Sequence, residues 1–171
     1  MQYALKCLGA RGHSTGELRE KLRRRSEVAA DVDTVLGKLK ESGYLDDRRF
    51  AETYTTSRLE NEGHGRMRVL RDLRQRRVGS TMAEQVVDGA YRDTDETGMI
   101  QAFLERKYRN KVLSKFLADD KNLAAAFRRL RYAGFSAGNS IRVLKRHAKN
   151  EEALDSLESS ELIEPGDAQE E

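Results

Sequence analysis

An all-α chain of three tandem three-helix repeats, set in an elongated and curved arrangement, is the fold this sequence predicts, and three observations predict it. Its single proline is Pro165, so the first 164 residues lack the strongest helix breaker. Its apolar residues are mostly Leu, Ala and Val, placed at helical spacing. The sequence also repeats itself. Leu22, Leu73 and Leu130 are anchors 51 and 57 residues apart, and an aliphatic pair follows each: Val35–Leu36, Val86–Val87 and Val143–Leu144. Four residues before the anchors stand Leu18, Val69 and Ala126, and nine before them stand His13, His64 and Lys121.

An apolar helix-like segment opens each repeat: Ala4, Leu5 and Leu8, then Phe50, Ala51 and Tyr54, then Ile100, Phe103, Leu104 and Tyr108. The expected helices run over about 2–11, 14–25 and 29–42, then 46–61, 65–77 and 81–92, then 95–116, 121–133 and 137–149. Ser14–Thr15–Gly16–Glu17 has the capping-box pattern, in which a hydroxyl takes an orphan N–H and the glutamate reaches back. Thr81 with Glu84 carries the same pattern, and Asp46 or Asp47, Asp93 and Asp120 are further N-cap candidates. Gly43 and Gly134 suit helix ends, where glycine accepts a left-handed backbone. The boundaries that follow are 1–44, 45–93 and 94–149 for the three repeats and 150–171 for an acidic, disordered tail. Each repeat is small and highly charged, so neighbours are expected to share surfaces as in solenoids.

Charge narrows the function classes. The formal net charge is +3, but residues 150–171 hold nine acids and no Lys or Arg, leaving +12 on residues 1–149. A helical body that basic points to an anionic partner. The tail is either a solvated end or a lid competing for the basic face. No apolar run is long enough to span a bilayer, and the N-terminus has no secretory pattern. One cysteine, Cys7, excludes an internal disulfide and a multi-cysteine zinc site, and a reducing cytoplasm is expected.

No catalytic constellation is visible, and neither a cofactor nor a metal is expected. His13 and His64 occupy equivalent positions, which favours a structural role. His147 stands apart, Cys7 shares the apolar row of its helix, and Gly9–Gly16 reads as a turn between helices, since no strand precedes it. The basic residues are more informative. Arg66, Arg68, Arg71, Arg74, Arg76 and Arg77 crowd one helix, and Arg142, Lys145, Arg146 and Lys149 share a helix face. Arg128, Arg129 and Arg131 add to the third repeat, and Arg23, Arg24 and Arg25 close a helix in the first. Few aromatics sit among them to stack single-stranded bases; Tyr132 is the main one.

Taken in order, LGARGHSTGELREKL (Leu8–Leu22), GYLDDRRFAETY (Gly43–Tyr54), the Gly63–Gly65 step, LRDLRQRRV (Leu70–Val78) and LRYAGFS (Leu130–Ser136) resemble the RecX family of recombination regulators. The resemblance spans about residues 4–148, and Leu45–Ala51 is its most specific stretch. It implies three tandem three-helix repeats and a non-enzymatic regulator of the RecA recombinase. It also implies a clamp in the groove of the RecA–single-stranded DNA filament that lowers ATP hydrolysis and strand exchange and favours disassembly. The family usually places Gly before the hydrophobic residue after the second helix, as Gly134–Phe135 does here. The second repeat has Arg77–Val78 and the first has no Gly in that turn. Either a non-glycine residue takes the left-handed conformation, at a cost of about 1 kcal/mol, or the turn differs. The chain starts almost inside the first repeat, without the N-terminal extension many members carry.

The residues expected to face the filament are Arg66, Arg68, Arg71, Arg74, Arg77, Arg128, Arg131, Arg142 and Lys145. The expected protein is a cytoplasmic monomer with weak direct DNA binding and no membrane partner. The alternative is a stand-alone helix-turn-helix-like DNA-binding protein, which would bind naked duplex with steep salt dependence and need no recombinase.

Overall fold

In the computed structural model, residues 1–26, 28–148 and Leu154 are described. Every regular element among them is a helix. The first repeat holds α1 (Gln2–Ala10), α2 (Thr15–Arg23) and α3 (Ala29–Glu41); the second holds α4 (Asp47–Glu60), α5 (Arg66–Gln75) and α6 (Ser80–Tyr91). The third holds α7 (Glu96–Lys107), the short α8 (Leu113–Phe116), α9 (Asp120–Tyr132) and α10 (Ala137–Lys145).

The apolar spacing of each helix builds a separate core. Ala4, Cys7, Leu18, Leu22, Val32, Leu36, Leu39 and Leu45 form the first cluster. Ala51, Val69, Leu70, Leu73, Val78, Ala83, Val86 and Val87 form the second. The third is the largest, and aromatics enlarge it: Phe103 meets Phe135 edge-on at 5.7 Å between ring centroids, and Tyr108 packs on Phe116 at 4.8 Å. The three anchors, Leu22, Leu73 and Leu130, are buried in their respective clusters, as their recurrence predicts. Each fully buried Leu contributes about 1.5–3 kcal/mol, so small clusters of this kind hold a repeat only narrowly.

By their contacts the residues fall into two compact units, one of residues 1–62 and 69–94, the other of residues 63–68 with those from Asp95 onward. In the first unit α2 packs on α3 and α4 on α6; in the second α10 packs on both α7 and α9.

Several expected boundaries need correction. The helix expected over 95–116 is broken: α7 stops at Lys107, Tyr108 turns its ring into the third core, and α8 is a separate turn. The cap expected at Thr81 lies inside α6, whose N-cap is Gly79 with no side-chain bond. Asp95, not Asp93, caps α7, and Asp119, not Asp120, caps α9. The Ser14–Glu17 capping box is present, and Asp46 caps α4 by accepting the Arg49 N–H at 2.9 Å. The expected acidic tail, 150–171, lies outside the described residues apart from Leu154, which is helical and fully buried in the third cluster.

Candidate partner-binding surface

Most of the candidate residues lie on or just after the second helices of the repeats, so the ends of those helices matter first. α5 and α9 finish with the same hydrogen bonds. After α5, Arg77 N donates to Arg74 O at 2.8 Å and Val78 N to Leu73 O at 3.1 Å. After α9, Gly134 N donates to Arg131 O at 3.0 Å and Phe135 N to Leu130 O at 3.2 Å. This pairing needs a left-handed residue at the turn. Gly134 has φ +92°, and Arg77 adopts φ +57° without being glycine. The first repeat solves the problem differently. Arg24 keeps a right-handed backbone, and Arg25 N and Ser26 N both return to Leu22 O. Both alternatives left open by the sequence therefore occur, one in each repeat.

These ends receive helix starts. In the first unit Ser14 Oγ donates to Arg76 O, and Gly16 lies so close to Arg77 that a Cβ there would sit 2.7 Å from the Arg77 carbonyl oxygen. Glu17 is placed by its capping box and reaches Arg11 at 3.1 Å and Arg76 at 3.3 Å, while Glu20 meets Arg77 at 3.6 Å. Burial opposes the Glu17 charge, but the hydrogen bond and charge of Arg11, the Ser14 N–H and the Arg76 charge outweigh it and hold the carboxyl below its ordinary value. Thr15 N donates to Asp47 Oδ1 at 2.6 Å. In the second unit the corresponding contact is backbone on backbone: Gly65 N donates to Ala133 O at 2.8 Å and Met67 N to Gly134 O at 3.0 Å. In the second unit free N–H groups of a helix start meet carbonyls of a helix end, whereas in the first the Ser14 hydroxyl is the donor to the helix-end carbonyl.

The histidines stand beside this contact. His13 and His64 each precede the docking residue, Ser14 or Gly65. His13 is 4% exposed, and its Nδ1 donates to Arg11 O at 2.9 Å, fixing the turn between α1 and α2. Burial is the main cause that lowers its pKa, with the Arg11 and Lys21 charges acting the same way against the Arg11 carbonyl and Glu17. The structural role expected from the equivalence fits this placement. Lys121, at the same position in the third repeat, is exposed.

The arginines do not form one uniform face. On α5, Val69, Leu70 and Leu73 are buried, and Met67, Arg71 and Arg74 present an exposed row at i, i+4 and i+7. Arg74 also reaches Glu84 at 3.3 Å. Arg66 and Arg68 are half-buried; the Arg66 guanidinium touches Met67 Sδ at 3.5 Å, and that of Arg68 lies 4.6 Å over the Tyr132 ring. Arg77 is exposed beside Glu20. Arg128 and Arg142 are exposed, Lys145 is half-buried, and half-buried Arg131 donates to Phe135 O. Arg129 is exposed and donates to the Tyr108 hydroxyl at 3.0 Å. Several of these side chains thus have structural duties; Arg71, Arg128 and Arg142 are exposed.

Glu96 was not singled out from the sequence. Its carboxylate accepts from Ser136 N at 2.8 Å, Ser136 Oγ at 2.6 Å and Asn139 Nδ2 at 2.5 Å, tying α7 to the start of α10. Burial raises its pKa, but these donors and Arg131 overcome that and bring it below the ordinary value. Nothing local in Asp95–Glu96–Thr97 signals a partner forty residues away.

Among the described residues no His, Cys, Asp and Glu side chains cluster to hold a metal, and no helix is long and apolar enough to cross a membrane. Tandem three-helix repeats with arginine-bearing second helices define the class: a repeat-built helical protein with a basic surface. Family models match it twice, as the first three-helix domain of RecX over residues 1–39 and the second over residues 46–87. Regulatory protein RecX of Vibrio parahaemolyticus is 31% identical over 78% of this chain and 81% of its own length. That of Halorhodospira halophila is 38% identical over 61% of this chain and 63% of its own length. A crystal structure of regulatory protein RecX matches with a TM-score of 0.62 at 19% identity, over 83% of this chain and 68% of that one. RecX from Lactobacillus salivarius matches with a TM-score of 0.54 at 16% identity, over 95% and 94%. This chain belongs to the RecX family of regulatory proteins.

Proposed function

We propose that this chain regulates a RecA recombinase by binding along the groove of its filament on single-stranded DNA, lowering ATP hydrolysis and strand exchange and favouring disassembly. The observation that carries the reading is the tandem repetition of one three-helix unit in a RecX-family chain. A filament offers identical subunits at regular intervals. Linked modules then bind its successive subunits at high effective concentration, so individually weak contacts add up. In this reading residues 1–44, 45–93 and 94–149 are the three contact modules and 150–171 an acidic appendage. The chain works as a cytoplasmic monomer without chemistry of its own. Its positive body is steered toward DNA phosphates and acidic protein surface. The partner-facing residues are Arg66, Arg68, Arg71, Arg74, Arg77, Arg128, Arg131, Arg142 and Lys145.

The test is the single-stranded-DNA-dependent ATPase of the cognate RecA as this protein is titrated in. Inhibition well below one molecule per recombinase subunit, at salt where naked-DNA binding is negligible, is the expected result. No inhibition at saturation refutes the reading. Replacing Arg66, Arg71 and Arg74 by Glu is expected to abolish inhibition while helicity stays intact. Unchanged inhibition takes α5 out of the interface.

A further inference from the structure

The positive charge is not shared evenly. By sequence, residues 1–44 carry +3, residues 45–93 carry +1 and residues 94–149 carry +8. Most of the field therefore belongs to the third repeat. Its second helix, α9, exposes a row formed by Lys121, Ala125, Arg128, Arg129 and Tyr132, residues spaced three or four apart and so on one face. At the end of that row stands Tyr132, 65% exposed, with the Arg68 guanidinium 4.6 Å from its ring centroid.

The Arg68 contact leaves most of the Tyr132 ring open to solvent. The large apolar residues elsewhere on α9 are fully buried: Leu123, Phe127 and Leu130 are all at or below 2%. The other repeats also lack the feature. Counted from the anchors, Tyr132 corresponds to Arg24 and Gln75, and Arg128 corresponds to Glu20 and Arg71. At this position of the second helix, the aromatic occurs in the third repeat alone, the repeat that also carries the charge excess.

We propose that the α9 face of the third repeat is a single-stranded nucleic acid platform, in which Tyr132 stacks on an unpaired base while Arg128 and Lys121 hold the flanking phosphates. Each base has a π-face that an exposed ring matches without regard to sequence, and a guanidinium beside the ring adds cation–π attraction. A duplex keeps its bases stacked and offers this ring nothing beyond phosphate. The platform concerns the chain alone, so it stands or falls separately from the regulation of a recombinase.

The chain has no tryptophan, which makes a direct test available. Tyr132→Trp supplies a sole indole at the platform. Its fluorescence is followed while oligo-dT, an abasic oligomer of equal length or a duplex is added at low salt. Quenching by oligo-dT but not by the abasic oligomer is expected. With fluorescein-labelled oligo-dT, Tyr132→Ala is expected to weaken binding about tenfold or more, and Tyr132→Phe to keep it near that of the parent chain. Circular dichroism verifies that the exposed substitution leaves the helices formed. Equal binding of abasic oligomer and oligo-dT with no indole response reduces the face to phosphate attraction and overturns the proposal. Duplex binding as tight as oligo-dT overturns it too. Absent oligonucleotide binding, with Tyr132→Ala weakening recombinase inhibition, assigns the face to a protein partner instead.

Discussion

The start of α2 against Arg76–Arg77 and the Gly65–Met67 segment against Ala133–Gly134 are equivalent contacts built from different chemistry. The first uses a serine hydroxyl, a capping box, two arginine–glutamate pairings and a left-handed arginine. The second uses two glycines and two backbone hydrogen bonds. One geometry, a helix start meeting a helix end, is thus reached once through side chains and once through their absence. What persists between repeats is the pairing of helix termini, and the residues that deliver it are free to change.

The largest effect is expected where backbone meets backbone. A Cβ added at Gly65 would lie 2.5 Å from Phe135 N and closer still to the Gly134 carbonyl, and none of these atoms belongs to a flexible side chain. Gly65→Ala is expected to cost about 3 kcal/mol, read as a lowered thermal midpoint by circular dichroism. An unchanged midpoint would mean that this contact contributes nothing to stability.

Acid acts on both units next. Glu17 serves the first and Glu96 the second, and both carboxyls are held below their ordinary value when folded. A lowered folded-state pKa means that the unfolded chain binds the proton more readily. The stabilisation is then complete above about pH 4.3 and is lost as the pH falls through the folded value. Glu17→Gln and Glu96→Gln should each flatten part of the acid limb of the stability–pH curve, with a loss of about 1 kcal/mol at neutral pH. A curve unaltered by either change would remove that carboxylate from its contact.

The smallest change converts one contact toward the other. Arg77→Gly relieves the left-handed strain at φ +57° and gives up only an exposed pairing with Glu20. A gain of about 0.5–1 kcal/mol is expected in urea unfolding. A loss would show that the Arg77 side chain stabilises the contact by more than its backbone strain costs.

Much of the fold was legible because it is periodic. The anchors Leu22, Leu73 and Leu130 recur, and recurrence is visible without knowing any contact. The capping box at Ser14–Glu17 was readable for the same reason, being local. What escaped was non-local. Nothing near Gly65 announces Gly134, and nothing near Glu96 announces Ser136 and Asn139. The break after Lys107 has no glycine or proline to mark it; it follows from Tyr108 and Phe116 both reaching the third core. The arginines were found by composition, but charge alone does not tell Arg131, held against a backbone carbonyl, from Arg128, which is exposed.

Leu154 bears on where the chain can be cut. Charge alone draws the boundary at residue 149, where the basic body gives way to acid. Leu154 lies beyond that line yet is fully buried with Ile100, Leu104 and Leu144. A shortened protein ending at residue 149 would carry a leucine-sized hole in its third core, and holes of that size cost about 3–5 kcal/mol. Any truncation meant to ask what the acidic residues do must therefore retain Leu154, or it will measure a damaged interior instead of a missing charge.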